Sequence, residues 1–535
     1  MSTKPLPDRI ELLNSIGVAL SAEKEPHHLL ERVLRGAKEL TDADAGTLYV
    51  MTEAQSLKLE IVLNDSLGFF MGGTSGTEVP FDPIPLYDAK GQPNNSTVVV
   101  ASVLSQKTIR IPDAYEATDF DFTGTRAFDK KTGYRSKSFL TVPMTNHKGR
   151  VIGVLQLLNA IDPRTGEVRE FAPEDQHLAE SLASQAAVIM TQKQLIDDLE
   201  KLFESFIFLI ADAIDEKSPH TGGHCRRVPE LTLMIADAAT ETDRGPLQMF
   251  TMQPEERYEL QIASWLHDCG KITTPIHVVD KATKLETICD RIHTIDTRLA
   301  VMRQEAEIRM LKAKLAGEDE AQAEQQYAAE LERLQEVRDF LHDANIGGEY
   351  MDEVKRAKVR ELAKLTWHDC EGEQQPLLND DELKNLCITK GTLNDEERRV
   401  INHHIDTTIK MLEALPFPEH LKQVPEFAGG HHERMDGKGY PRGLTRKELS
   451  LQARMMGIAD IFEALTAPDR PYKKAMSLSQ ALGILGAMRL DGHIDPDIFD
   501  LFIRKKVYLD YARAFLSPEQ IDEIDHATIP GYRPA

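Results

Sequence analysis

Cysteine is scarce in this 535-residue chain. The five present (Cys225, Cys269, Cys289, Cys370, Cys387) are scattered, with no CxxC pair. That argues against a disulfide framework and against a zinc ribbon, and it fits a reducing compartment. Long apolar runs are missing too. The greasiest stretch, FESFIFLIADAID, is interrupted by acids, so no membrane-spanning helix is expected. The opening residues, MSTKPLPDRIELLNS, hold no apolar segment of the kind a secretory signal needs. Positive charge is in deficit, with 63 Lys and Arg against 87 Asp and Glu, a formal net charge of -24. The excess is spread along the chain. Such a surface repels phosphate backbones and speaks against binding long nucleic acids. A small anionic substrate remains compatible, because a metal cluster reverses the field around it. The expectation is a soluble, cytoplasmic protein that engages neither membrane nor long nucleic acid.

One hydrophobic core cannot serve 535 residues, and length alone suggests three or four units. Residues 1–176 read as α+β. An amphipathic helix is expected over Asp8–Leu40, then strands at Gly46–Met51, Leu57–Leu63, Thr97–Ser102, Thr108–Pro112, Ser138–Pro143 and Arg150–Leu158. Gly, Asn, Asp and Pro clusters such as Asn64-Asp65 punctuate them. From Pro173 to Asp215 the pattern is helical almost without a break. Leu195, Leu199, Leu202, Phe206 and Leu209 follow a 4, 3, 4, 3 spacing, the seam of a parallel coiled coil or one face of a helix packed on its own domain. A second helical stretch, Glu286–Thr366, is rich in Ala, Glu, Leu, Arg and Gln. Gly317-Glu318-Asp319 near its middle suggests an antiparallel hairpin.

Several polar clusters lie where a packed helical core needs none. They are His220-Thr-Gly-Gly-His224, Trp265-Leu-His267-Asp268-Cys-Gly-Lys271, His403-His404, His431-His432-Glu433-Arg434-Met-Asp436-Gly-Lys-Gly-Tyr440-Pro441, and Asp460 followed by Arg470-Pro-Tyr-Lys473. Imidazole and carboxylate together suit Fe, Mn, Zn or Ni, and a carboxylate can bridge two ions where an imidazole cannot. Two ions so bridged can bind a phosphate diester and activate water near neutral pH. The dipeptide His-Asp is a weak signal alone. His342-Asp343 and His368-Asp369 lack a following Gly-Lys and sit in the charged helical stretch, so they read as solvated surface. Lone histidines such as His293 and His493, and His403 beside His404, read as structural. By contrast HHERMDGKGYP is specific, since adjacent histidines, an acid and a Gly-rich Tyr-Pro turn share no evident structural purpose.

Two resemblances follow. The segment SFLTVPMTNHKGRVIGVLQLLNA (Ser138–Ala160) resembles a GAF domain. Asn159, Phe171 and Asp175 match the signature of the cyclic-nucleotide-binding members, while Ala160 stands for its Lys and Gln176 for its Glu. The resemblance therefore allows an unidentified small ligand or a purely dimerising role. TGGHCRRV, HDCGK, HHERMDGKGYP and IADIFEALTAPDRPYK, in that order, resemble the HD-GYP group of the HD phosphohydrolase superfamily. That family is all-helical, holds two or three divalent metal ions, often iron, and hydrolyses cyclic di-GMP to pGpG or GMP.

By matching position, the resemblance implies His224, His267, Asp268, His404, His431, His432 and Asp460 as metal ligands, with Asp268 bridging. It implies Lys271, Arg470 and Lys473 on substrate phosphate, and Asp436 to Tyr440 in a signature loop shaping the substrate site. His220 stands where members with a third metal carry Glu, so it is a candidate ligand or a pocket-lining residue. The family turn that follows the His-Asp motif is split here between Asp280–Glu286 and Thr389–Glu397, as if about a hundred residues were spliced into it. Closure entropy tolerates such an insertion. The expected architecture is multidomain: 1–176 GAF-like α+β, 177–211 connecting helix, 212–285 and 389–535 the two parts of an all-α HD-type domain, and 286–388 an inserted helical hairpin. The expected activity is cyclic di-GMP hydrolysis by a homodimer. A slow regulatory module docking a diguanylate cyclase, and a phosphodiesterase for another cyclic dinucleotide such as cyclic GMP-AMP, are the alternatives.

Overall fold

The computed structural model describes residues 5–23, 25–88, 90–217, 223–348, 350–467 and 475–534. The chain divides into two compact units, one ending at Leu202 and the other starting at Phe203.

The first unit opens with α1 (Leu6–Ala22) and α2 (Pro26–Thr41), then β1 (Ala43–Met51), β2 (Ser56–Asn64), β3 (Phe69–Gly72) and β4 (Ile84–Pro85). Next come α3 (Val98–Ser105), β5 (Ile109–Ile111), α4 (Thr123–Thr132), β6 (Phe139–Thr145), β7 (Val151–Ile161) and β8 (Val168–Arg169), and α5 (Pro173–Lys217) leads out. The strands form one antiparallel sheet in the order β3-β2-β1-β7-β6-β5, with β4 on β2 and β8 on β7. Central strand β1 is buried on both faces. Leu48 joins the cluster that includes Leu20 and Val33 from α1 and α2 and Ala179, Leu182 and Ala186 from α5. Tyr49 belongs to the opposite cluster, with Val99, Val100 and Val103 of α3.

Two expectations fail here. The single helix over Asp8–Leu40 is two helices, because Pro26 lacks the N–H an interior position must donate and instead starts α2. The strand expected at Thr97–Ser102 is the helix α3. Its valines have β propensity, but packing across the sheet overrides that weak preference.

The residues matching the cyclic-nucleotide signature have architectural duties. Asn159, at φ 54°, accepts from the Lys137 and Ser138 amides at 2.7 and 3.2 Å and donates to the Arg135 carbonyl at 2.8 Å. Phe171 lies in the core. Buried Asp175 pairs with both Arg9 and Arg169 at 2.6 Å.

The second unit is helical around one large core, except for a short hairpin. Its elements are α6 (His224–Thr240), α7 (Pro254–Leu266), a 3-10 turn (Cys269–Thr273), α8 (Ile276–Val279), α9 (Ile292–Leu315), α10 (Glu320–Asn345) and α11 (Glu353–Leu362). Strands β9 (Thr366–His368) and β10 (Gln374–Pro376) precede α12 (Asp380–Leu386), α13 (Asp395–Asn402), α14 (His404–Glu413), α15 (Val424–Gly429), α16 (Leu451–Thr466), α17 (Leu478–Leu490), α18 (Pro496–Arg504) and α19 (Val507–Phe515). The expected hairpin is present as α9 and α10, and Asp319 caps α10 through the amides of Ala321 and Gln322. The helical pattern does not run on to Thr366. It breaks after Asn345, and α11, the β9–β10 hairpin and α12 follow.

Residues 285–387 share a core of their own, with Leu285, Leu299, Leu334, Leu341, Leu377 and Leu386 among its buried members. Its two chain ends are tied together. Lys281 reaches Glu397 at 2.7 Å and Asn385 at 3.1 Å, and Thr392 donates to the Lys281 carbonyl at 2.8 Å. An inserted segment whose ends meet in this way costs little closure entropy. No helix among the described residues is long and apolar enough to cross a membrane.

Candidate metal centre

Five stretches of chain bring histidine and aspartate to one point. Helix α6 begins with His224. Helix α7 ends at Leu266, so His267 and Asp268 emerge from its C-terminal end. His404 opens α14, His431 and His432 follow α15, and Asp460 projects from α16. The turn bearing Asp268 packs so closely on α14 that a Cβ at Gly270 would lie 2.0 Å from the His404 carbonyl oxygen. Glycine is required there. Across the same contact, the Gly270 amide donates to Thr408 Oγ1 at 2.9 Å.

The donors form two groups, each with ligand atoms within 4.8 Å of one another: Asp268, His404, His431 and His432, and His224, His267 and Asp268. Asp268 belongs to both. Its Oδ2 lies 3.4 Å from His224 Nε2 and 3.2 Å from His267 Nε2, and its Oδ1 lies 3.0 Å from His404 Nε2. Asp460 approaches His224 at 3.3 Å and His432 at 4.0 Å.

The far nitrogens are fixed by backbone. His267 Nδ1 meets the Ser264 carbonyl at 2.7 Å, His431 Nδ1 meets that of Ala428 at 2.6 Å, and His404 Nδ1 meets that of Ile401. With Nδ1 donating, each Nε2 presents its lone pair inward. Among the described residues, the buried atoms Asp268 Oδ1, His404 Nε2 and His431 Nε2 have no hydrogen-bond partner. Three unpaired buried acceptors aimed at one point are costly unless a cation fills it. The donor set therefore fits divalent metal, which the two groups sharing Asp268 would hold.

The electrostatics agree except at His224, where burial lowers the imidazole but Glu463, Asp268 and Asp460 raise it well above its ordinary value. Burial pushes the Asp268 carboxyl up, but Lys271, whose ammonium bonds Asp268 Oδ2, and His267 hold it well below the usual range. Asp460 is likewise held ionised against its burial, chiefly by its hydrogen bond with His224. Burial, with His267 nearby, lowers His431 to about 4, and burial and His431 lower His432. Both imidazoles are neutral at pH 7, as ligation requires.

A residue the sequence reading passed over completes the centre. Glu463, one turn after Asp460 on α16, is 1% exposed. It accepts from His224 Nδ1 at 2.5 Å and from Arg227 Nε at 2.8 Å. Burial raises the Glu463 carboxyl, but His224 and Arg227 bring it down to about 2. The available signal was the i, i+3 spacing of Asp460 and Glu463, which puts both on one helix face.

His431, His432 and Asp460 open onto a cavity of about 460 Å³, a size suited to a small molecule. Tyr440, Arg434, Lys438 and His493 also line it, opposite an apolar wall of Ile461, Leu465, Met476 and Met488. The Tyr440 ring lies 4.8 Å from that of His432 at 32°. Glu433 holds the loop between them by accepting from the amides of Arg442 and Leu444. A Cβ at Gly439 would meet the Arg434 nitrogen at 2.4 Å, so the turn needs glycine.

Asp436 braces this loop. Its carboxylate takes two 3.1 Å bonds from Arg434 and one of 3.0 Å from the Lys438 amide. His493, read from sequence as structural, lines the cavity and belongs to neither ligand group. His403 is exposed and pairs with Asp406 at 3.1 Å. His342 is half-buried against Asp296, and His368 is exposed against Glu305. His220, Arg470 and Lys473 lie outside the described residues.

Residues 25–190 match the family model for the GAF domain, and residues 380–498 match that for the HD domain. Two curated relatives from Vibrio cholerae serotype O1 are named 3'3'-cGAMP-specific phosphodiesterases 1 and 3. They are 40% identical over 114 residues (21% of this chain, 26% of the relative) and 43% identical over 119 residues (22% and 25%). A cyclic di-GMP phosphodiesterase from Pseudomonas aeruginosa is 36% identical over 114 residues (21% and 26%). The chain thus spans about a quarter of the length of these relatives. Among solved structures, the GAF domain of an Acinetobacter phosphoenolpyruvate-protein phosphotransferase aligns at 14% identity over 36% of this chain and 98% of that one, with a TM-score of 0.27.

Proposed function

We propose that this chain, a GAF domain joined to an HD domain, is a metal-dependent phosphodiesterase that hydrolyses cyclic di-GMP. The observation that carries the reading is Asp268, shared by two ligand groups whose lone pairs are unmet, beside a cavity of about 460 Å³. His224, His267 and Asp268 would hold one ion, and Asp268, His404, His431 and His432 the other, with Asp460 between His224 and His432. When bound, such a pair supplies Lewis acidity toward a phosphate diester and lowers the pKa of water. Iron is the first choice, with manganese, zinc and nickel also compatible with His and Asp ligation.

The chain's own residues supply orientation and charge. Lys271 carries its ammonium against Asp268, where negative charge develops during attack on phosphorus. Burial raises the Tyr440 phenol well above its ordinary value, so its hydroxyl stays a hydrogen-bond donor beside His432. Arg434 and Lys438 bring positive charge to the mouth and the apolar wall receives a base. By resemblance, Arg470 and Lys473 add phosphate contacts and His220 a possible third ligand set.

We assign 1–176 to sensing or dimerisation, 177–211 to the connecting helix, 212–285 and 389–535 to catalysis, and 286–388 to the insertion. Leu199, Leu202, Phe206 and Leu209 are 63, 52, 56 and 61% exposed on α5. The face carrying Ile207, Ala211 and Ile214 is buried in the unit's core. A second copy of the chain is the occupant we assign to the exposed seam, in the cytoplasm.

Cyclic GMP-AMP is the second reading, favoured by the names of the two Vibrio relatives. Equimolar competition between the two dinucleotides, followed by chromatography of pGpG, GMP and the mixed product, decides between them. Preferential loss of cyclic di-GMP supports the first reading. Its persistence while cyclic GMP-AMP disappears overturns that reading in favour of the second.

A further inference from the structure

The last turn of α5 ends against the two segments that carry the first ligand group. Asp215 accepts from the amides of Gly223 at 3.0 Å and Cys225 at 3.2 Å, on either side of His224. Two residues on, the Lys217 ammonium donates to three carbonyls, those of Lys271 at 3.0 Å, Ile272 at 2.5 Å and Thr274 at 2.7 Å. These oxygens lie at the C-terminal end of the 3-10 turn Cys269–Thr273. The Lys271 carbonyl also takes the Thr274 amide at 3.0 Å; the last carbonyls of a helical turn carry partial negative charge, so a cation there is favourable.

The other end of the turn is fixed differently, by the close approach of Gly270 to α14 and its bond to Thr408. The five-residue turn is therefore held between α14, which carries His404, and α5, which carries Lys217. Lys271 sits within it and reaches back to Asp268. The same helix α5 contributes Leu178, Ala179 and Leu182 to the core of the first unit and Ile207, Ala211 and Ile214 to that of the second.

We propose that Lys217 is a positioning residue. By gripping the 271–274 carbonyls it holds the Lys271 ammonium on Asp268, and it makes the end of α5 a mechanical part of the metal centre. Its catalytic consequence rests on the phosphodiesterase reading above. Its structural consequence does not. Among the described residues the Lys217 ammonium bonds backbone carbonyls and no metal-ligand side chain, so its loss leaves the donor set intact while loosening the turn. A displacement of about 1 Å at a reacting group costs on the order of a hundredfold in rate.

The test uses the full-length, manganese-loaded protein with Lys217→Met, which keeps the stem and removes the ammonium, and Lys217→Arg, which restores a cation. Three quantities are read: bound manganese, kcat and KM on bis(p-nitrophenyl) phosphate, and amide hydrogen exchange by mass spectrometry. For Lys217→Met we expect wild-type manganese content, kcat lowered by about ten- to a hundredfold with KM within about twofold, and exchange accelerated at 269–275 while α14 is unchanged. Lys217→Arg should recover most of kcat and the protection.

Unchanged kcat and exchange in Lys217→Met overturn the proposal. So does a parallel loss of manganese and of protection throughout the unit in both variants, which marks a role in general stability. If wild type cleaves no diester at all, the phosphodiesterase reading fails. The exchange pattern at 269–275 then still decides whether Lys217 holds the turn.

Discussion

Replacing Glu463 by Gln isolates one electrostatic contribution to the centre. Glutamine keeps the volume of a side chain that is 1% exposed, and its single carbonyl oxygen can still accept from His224 Nδ1, while its amide nitrogen takes the place of the oxygen that met Arg227. It removes the negative charge that makes the His224 imidazole a stronger donor to a cation and fixes its tautomer. Loss of such a supporting carboxylate typically costs ten- to a hundredfold in metal affinity, or about 1.4–2.7 kcal/mol, since each tenfold is about 1.4 kcal/mol. Because Asp268 is shared, the loss should be concentrated in the group containing His224 and His267. Competition of manganese between apoprotein and a chelator of known affinity should therefore show one site weakened about ten- to a hundredfold and the other weakened far less. Glu463→Ala should be worse, because it leaves Arg227 and His224 without their carboxylate in a buried place; breaking such pairs costs about 3–5 kcal/mol. Equal affinities for wild type and Glu463→Gln, with wild-type folding, would refute the reasoning.

Further outcomes follow from other contacts. Asp495, fully buried, pairs with Arg446 at 2.8 Å and with Arg454 at 2.5 Å. Burial raises its carboxyl, but the two arginines hold it below the ordinary value. A depressed folded pKa gives stability that is present above about pH 4 and is lost as pH falls through the folded value. Asp495→Asn should lower unfolding free energy at pH 7 by about 2–3 kcal/mol, the buried-pair value reduced because Arg446 is partly exposed. Urea titrations of the two proteins should converge as pH falls below the folded value, and a pH-independent gap would contradict the ion-pair account. Gly270→Ala should lower stability by about 3 kcal/mol, the upper range for overpacking, and should weaken metal binding at His404, both measured on purified protein. Leu199→Glu with Phe206→Glu should convert a dimer to monomer in sedimentation velocity, and an unchanged species would remove α5 as the seam.

Much of this site was legible because its chemistry is concentrated in short motifs. His267-Asp268 and His431-His432 are adjacent in sequence, so local chain direction alone brings ligands together, and the structure adds His224, His404 and Asp460 to the same cluster. Glu463 was not legible, because a glutamate one turn from an aspartate on an amphipathic helix has many solvated counterparts; only burial against His224 distinguishes it. That His493 lines the cavity was not legible, because its place follows from the Met435 and Asp436 amides bonding the carbonyls of His493 and Gly492, a contact between segments about sixty residues apart. In the first unit the strands expected at Gly46–Met51, Leu57–Leu63, Ser138–Pro143 and Arg150–Leu158 are strands, whereas Thr97–Ser102 is a helix. A run of three valines fits a buried strand and a buried helix equally, and only the sheet beneath it chooses. The insertion was recognisable as a split turn. Its β hairpin was not, because Thr366–His368 and Gln374–Pro376 are too short and too exposed to leave a pattern.

The most direct measurement is anaerobic turnover of cyclic di-GMP by the iron- or manganese-loaded chain beside Asp268→Ala, with metal counted in both. The account predicts cleavage to pGpG or GMP by wild type, and loss of both cleavage and at least one bound ion in Asp268→Ala. Intact cyclic di-GMP after incubation with metal-loaded wild type, or cleavage that survives Asp268→Ala, would contradict it.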